Sequence, residues 1–278
     1  MGCIAGGALI AASVDVPPVA TGFWRMALAG PLCLLIAMLG GKGAPMAGIG
    51  PLLRGRHIWI AGVAFALTIG LWYSGQRLSS IASTSALHNL APIMIVSLAW
   101  LMSGIVPRAL TMAGIASALA GATLLAMHSG GLSDRALQGD LLALASAAAL
   151  AAYYSAIARL SRGVGIWLIM AAVSIIAAPP LLLLSLCVET RLMPGTASEW
   201  GALAVLAVFG QVLGQGLLAF AARSLGALGI SVAALAEPAM AALLATILLG
   251  APAYLPHMLG LALVLTGIWF CRGDRVRS

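Results

Sequence analysis

The sequence predicts an all-α, polytopic membrane protein of about ten transmembrane helices in two inverted five-helix repeats. Composition, the spacing of apolar runs, and a self-similarity at one fixed offset carry that reading. Of 278 residues, 62% are hydrophobic and 8% charged, against about 45–50% and 25% in soluble domains. A soluble fold of this length lacks the interior to hide so much apolar surface, so the natural solvent is a bilayer. Each spanning helix takes about 20 apolar residues, and ten of them with short connections use nearly the whole chain.

The apolar runs place spans near residues 1–15, 17–39, 57–77, 80–103, 108–128, 139–159, 165–188, 199–222, 225–249 and 256–271. The first is short. Only 14 residues precede Asp15, too few to cross alone, so its beginning is expected to be truncated. A cleaved signal peptide is the rival reading, but residues 1–14 lack the basic n-region of such a leader. Asp140 is expected to cap the start of span six.

Basic residues set the orientation. With ten spans both termini share a side. If that side is cytoplasmic, the inner segments carry Lys42, Arg54, Arg56, Arg108, Arg159, Arg162, Arg223, Arg272, Arg275 and Arg277. The outer half keeps Arg25, Arg77, Arg135 and Arg191. Ten of 14 basic residues inside follows the positive-inside rule, as expected of a bacterial-type inner membrane protein with cytoplasmic N- and C-termini. The net charge of +7 is then a topology signal and a means of contact with anionic lipid. Charges scattered over five inner segments form no stripe for nucleic acid. Cys3, Cys33, Cys187 and Cys271 are far apart, with no C-x-x-C, so neither a metal centre nor a cofactor is expected.

An offset of 146 residues aligns the second half with the first without a gap. Gly70 meets Gly216, Arg77 meets Arg223, Ser85 meets Ser231 and Pro92 meets Pro238. Gly104, Gly114 and Gly121 meet Gly250, Gly260 and Gly267. The match covers spans three to five and eight to ten, so each unit has five helices. Five is odd, and the second unit must enter the membrane from the opposite side. Such inverted repeats typify secondary transporters, with the cargo site near the midplane between them. Two units so related can rock between an outward-open and an inward-open state of comparable energy.

The strings "HNLAPIMIVSLAWLMSG" and "LAEPAMAALLATILLGAP", each followed by a Gly-spaced helix ("GIASALAGATLL", "GLALVLTGIW"), resemble the paired signatures of the EamA-type drug/metabolite transporter superfamily. "GDLLALASAAALAAYYSAIARL" similarly resembles the start of that family's second repeat. The resemblance implies EamA-type repeats over residues 1–128 and 139–272, and the export of amino acids or other small metabolites, or movement of nucleotide-sugars and sugar phosphates. Within the superfamily, the "GAP" after span nine and the aromatic-rich polar positions are most similar to the bacterial aromatic amino acid exporters. The chain has "HNLAPI" where an aromatic before the proline is expected.

Intramembrane polar groups usually face a cavity or a partner, and they nominate the cargo site. His88 lies about 12 Å into span four, close to the midplane. With Asn89 it can offer hydrogen bonds to a polar head group, and Pro92 frees the backbone carbonyl at His88. A helix–helix hydrogen bond from a neutral imidazole is the alternative. Gln211 and Gln215 in "FGQVLGQGLLAF" share a helix face and suit a zwitterion or a hydroxyl, or else serve as interhelical glue. Trp72, Tyr73 and Gln76 in span three, with Trp24 and Trp100, are substrate-facing candidates or interface anchors. Tyr153, Tyr154 and Trp167 share that ambiguity. Glu237, beside Pro238, is a candidate for proton coupling or for support of the broken helix. Arg25 can face a substrate carboxylate or snorkel to the surface.

The sequence therefore points to a carrier exporting small amphipathic metabolites, amino acids first, by alternating access. A multidrug exporter for cationic compounds and a passive channel are the alternatives. An intramembrane enzyme is disfavoured: H-E-x-x-H and G-x-S-x-G are absent, and the loops are short. Small-residue faces over 114–118 and 260–264 can pack within one chain, so a monomer is compatible with the sequence.

Overall fold

The computed structural model describes residues 16–40, 45–79, 81–104, 108–126 and 136–237, with 240, 259, 262–263, 266–267, 269 and 270. Span one, most of span ten and the end of span nine lie outside the described residues. Ten α-helices are described in full. They are α1 (Pro18–Leu39), α2 (Pro45–Arg54), α3 (Arg56–Gln76), α4 (Ile81–His88), α5 (Ala91–Ser103), α6 (Ala109–Ala126), α7 (Ala136–Leu160), α8 (Ile166–Val188), α9 (Ala197–Val205) and α10 (Gly216–Ala234). A π-helical segment, Leu206–Gln215, joins α9 to α10. Among the described residues, α1, α3, α7, α8 and the stretch from α9 to α10 are long and apolar enough to cross a membrane.

The repeat anticipated from the sequence is visible in contacts between equivalent positions. α1 and α8 are spans two and seven, the same element of each unit, and they pack side by side. Gly22 lies against Leu181 and Gly30 against Ser174, so the two helices run antiparallel. Equivalent helices running in opposite directions are what inversion requires. A second point on the pseudo-two-fold axis is the bond from the Ser117 hydroxyl to the Leu263 carbonyl, 2.9 Å, between positions exactly one repeat apart. A residue that touches its own symmetry mate sits on the axis. Likewise α3 packs on α8, and the π-helical segment, in span eight, packs on α1.

Span four is not one helix. It divides into α4 and α5 at Asn89 and Leu90, because Pro92 has no N–H to continue the ladder. The Leu90 N–H turns back to Leu87 O at 3.1 Å, and Met94 N–H resumes at Leu90 O, 3.1 Å. Span nine repeats this at the same offset: Ala236 N–H to Ala233 O at 3.1 Å, then Met240 N–H to Ala236 O at 2.9 Å. It begins at Gly226, whose φ of 68° and ψ of −175° separate it from span eight in a conformation that glycine adopts readily.

Other details depart from the sequence reading. α2 was not anticipated; its Leu53 carbonyl accepts from the Trp59 indole at 2.7 Å. Asp140 does not cap α7, which starts four residues earlier; its Oδ1 accepts from the Ser79 and Ser83 hydroxyls, both at 2.7 Å. α3 approaches α8 closely at Gly62, where a Cβ would lie 2.5 Å from Ile176. Arg77 and Arg223, matched by the repeat, each hold carbonyls at a helix end. Arg77 donates to Val188 O at 2.7 Å, and Arg223 Nε to Ser161 O at 2.8 Å.

The α1–α8 pair is closed by a residue the sequence did not single out. Glu189, just past α8, accepts from the Val19 and Ala20 N–H groups through its two carboxylate oxygens, each at 2.8 Å. Ser185 donates to it at 2.8 Å. A carboxylate there satisfies donors that have no intrahelical partner and complements the helix dipole. Glu189→Ala is expected to lower stability by about 1–2 kcal/mol, read as a fall in melting temperature of the detergent-solubilised protein. An unchanged melting temperature would remove this role.

Candidate functional site

α3 and α7 run antiparallel, and their contacts stack in layers from one end of the bundle to the other. At one end Gly75 and Gly139 bring the backbones together, beside the Asp140–serine cluster. One layer deeper, the Trp72 ring stacks on Tyr73 at 5.2 Å and on His88 at 5.0 Å between centroids. Deeper again, Phe65 meets Tyr153 at 4.6 Å, and Tyr153 meets Tyr154 at 5.5 Å. At the far end His57 Nε2 and Arg159 Nη1 are 3.4 Å apart.

His88 makes the helix–helix hydrogen bond weighed for it. Its Nδ1 is 2.8 Å from the Ser146 hydroxyl of α7, which itself donates to Ala143 O at 2.7 Å. With that hydroxyl proton engaged, Nδ1 carries the imidazole proton as donor, and Nε2 keeps a lone pair as acceptor. The ring is half-buried. Asn89 is half-buried in the break between α4 and α5, its N–H bonded to Ser85 O at 3.0 Å.

The middle layer gathers the groups that matter most. The stem of Arg25, on α1, passes Gly210, and its guanidinium lies 5.5 Å from the Phe65 ring centroid. Beside Gly210 in the π-helical segment is Gln211, 0% exposed. Neither its amide nitrogen nor its amide oxygen has a hydrogen-bond partner. Gln215, nearly a turn on, accepts from the Tyr153 hydroxyl at 3.0 Å. Glu237 is within electrostatic reach of Arg25, Tyr73 and Tyr154. π-Helical runs are rare and frequently mark functional positions. Here one carries both glutamines.

Arg25 Nε and Trp72 Nε1 are also shut from solvent without a partner. So are the hydroxyls of Thr68 and Ser174, which the sequence reading passed over; isolated hydroxyls within apolar spans were their only signal. Buried polar atoms normally find partners. Five residues carry such unpaired atoms among the described residues.

The remaining candidates lie elsewhere. Trp24 donates to Leu192 O at 2.9 Å and meets Trp200 edge-on at 4.8 Å, which ties the start of α1 to the α8–α9 connection. Trp100 is 55% exposed, on the outer surface of α5. Gln76 is half-buried in the last turn of α3, near the Gly75–Gly139 closure.

The model of the EamA-like transporter family matches residues 3–127 and 137–272, and the chain belongs to that family. No curated protein matches the chain. One solved crystal structure, described only as that of a protein, superposes with a TM-score of 0.81 at 21% identity, covering 97% of this chain and 93% of that one. At that identity the likeness is one of fold.

An unpaired buried amide destabilises the empty protein. Gln211→Met keeps the length and removes both polar atoms, so it is expected to raise stability without cargo by about 1 kcal/mol or more, while weakening cargo binding. A lower melting temperature for Gln211→Met would mean that the amide is paired after all.

Proposed function

We propose that this member of the EamA-like transporter family exports amino acids, aromatic or neutral, across a bacterial-type inner membrane by alternating access. The observation that carries the reading is Gln211: a fully buried amide with both ends unpaired, at the midplane between inverted repeats. A polar group left so gains its partners when a cargo binds. Phe65, Tyr153 and Tyr154 in the middle layer, with Trp72 and Tyr73 in the next, supply aromatic surface for an apolar side chain. His88 Nε2 and Asn89 add hydrogen-bonding capacity one layer away.

The helix breaks at Asn89–Leu90 and Leu235–Ala236 support the transport cycle. Each interrupts a span beside the site, so the halves of those spans can tilt independently while α1 and α8 keep the two units paired. Glu237, next to one break, is the group suited to proton coupling.

A multidrug exporter is the second reading, favoured by the same aromatic rings, which attract cations through their faces. Arg25 in the middle of the site argues against it, since a like charge repels a cationic drug. The excess of Lys and Arg in one set of connections supports cytoplasmic termini.

Purified protein in liposomes is expected to move labelled phenylalanine, tryptophan, threonine or alanine faster than empty vesicles, with saturation and counterflow. Absence of flux for every amino acid tested would end the amino-acid reading, and protection of cells from cationic dyes would favour the alternative. A reporter fused after Ser278 should report the cytoplasm; a periplasmic signal would reverse the orientation.

A further inference from the structure

We infer that Arg25 and Gln211 together form a carboxylate-recognition site, so that the cargo is a carboxylate-bearing molecule held by its acid group at mid-membrane. The inference rests on the transport reading and assigns the residues that hold the acid group of its cargo.

Arg25 stands apart from the other arginines. Among the described residues, Arg54, Arg56, Arg77, Arg108 and Arg159 flank helix ends, Arg162 and Arg191 lie in connections, and Arg223 precedes the Gly226 break. Arg25 is seven residues into α1, about 10 Å along the helix. The snorkelling alternative requires its stem to run up to the interface. Instead the stem lies on Gly210 and the guanidinium reaches the Phe65 ring, both deep in the bundle.

Among the described residues no hydrogen-bond partner claims this cation. Among the described residues no carboxylate makes an ion pair with it, and Nε is buried without a partner. The nearby Gln215 oxygen is taken by the Tyr153 hydroxyl. Phe65 beneath the guanidinium holds a cation by its face and leaves the planar edge for hydrogen bonding. A guanidinium edge offers two parallel donors, the match for a carboxylate. Glu237 is within electrostatic reach of Arg25 but makes no hydrogen-bonded ion pair with it, and an anionic cargo group would add the paired hydrogen bonds that the guanidinium lacks.

Gln211 completes the site. Its nitrogen can donate to a carboxylate oxygen, and its oxygen can accept from an ammonium on the same cargo. Both atoms are buried and unpartnered, the condition a group carrying acid and amine would satisfy. Glu237 shares electrostatic contact with Arg25 and supplies negative charge for an ammonium. One cation, one two-ended amide and one carboxylate describe the complement of an α-amino acid zwitterion.

The test uses full-length protein, with binding followed by calorimetry in detergent and flux followed in liposomes. The probes are phenylalanine and threonine, each beside its carboxamide, with phenethylamine and 3-phenylpropanoate. The expected result is that the acids bind and the amides and amine bind at least about tenfold more weakly. Arg25→Gln should cut affinity for the acids by about ten- to a hundredfold, and leave the amine within about twofold. Arg25→Lys keeps the charge without the fork and should fall between. Because it preserves the cation, it separates loss of recognition from loss of folding, as do the melting temperatures of all three proteins. Acid and amide bound equally by the unaltered protein, or acid affinity unchanged in Arg25→Gln, would overturn the site even where flux persists. Arg25-dependent acid binding without flux would keep the site and overturn transport. Neither binding nor flux with any probe would overturn both.

Discussion

Hydrocarbon offers no hydrogen bonds, so every polar atom within a span must find a partner in the protein or face a wet space. Most of the structure is organised by that constraint. Ser155, Ser161 and Ser231 turn their hydroxyls back to carbonyls of their own helices. Asp140 takes two serine hydroxyls, and Glu189 takes two backbone N–H groups and a third hydroxyl. Against this background, the unpaired atoms of Arg25, Thr68, Trp72, Ser174 and Gln211 are exceptions. Their lack of partners supports the cargo site proposed above.

The inverted repeat supplies the frame for that place. α1 and α8 cross antiparallel as symmetry mates, and Ser117 meets Leu263 one repeat away. Two such contacts define an axis, and the remaining helices are distributed about it. The breaks in spans four and nine use the same pair of backbone hydrogen bonds at the same offset. The two breaks therefore share one backbone form, at equivalent positions of the two units.

The chemistry of the site does not follow the repeat. Arg25 corresponds to Ala171, Trp72 to Leu218, His88 to Ala234, Gln211 to Phe65 and Glu237 to Ala91. The scaffold residues (glycine, proline and the two helix-end arginines) match between units, whereas these polar residues face apolar counterparts. Two units of one architecture need equal geometry to exchange conformations, but a small asymmetric cargo presents different groups to each. Gln211 and Phe65 show this most plainly, for of these repeat mates one is a buried amide and the other is the ring beside the Arg25 guanidinium.

The sequence by itself determined the membrane class, the positions of most spans, the repeat and its inversion, because these depend on apolar run length, on helix count and on residues matched at one offset. It also marked Pro92 as an interruption. It did not show that Asp140 lies inside its helix and bonds Ser79 and Ser83, since a lone Asp near a helix start reads as a cap. Glu189 closing onto Val19, some 170 residues away, leaves no local pattern. Nor did sequence separate Trp24, held at the α8–α9 connection, from Trp72, stacked in the interior, for both read as aromatics near an interface. Tertiary structure alone decided that Arg25 turns inward rather than snorkelling, and that Gln215 is engaged while Gln211 is not. Those outcomes depend on which helix supplies the neighbouring atoms, and a one-dimensional pattern carries no record of that.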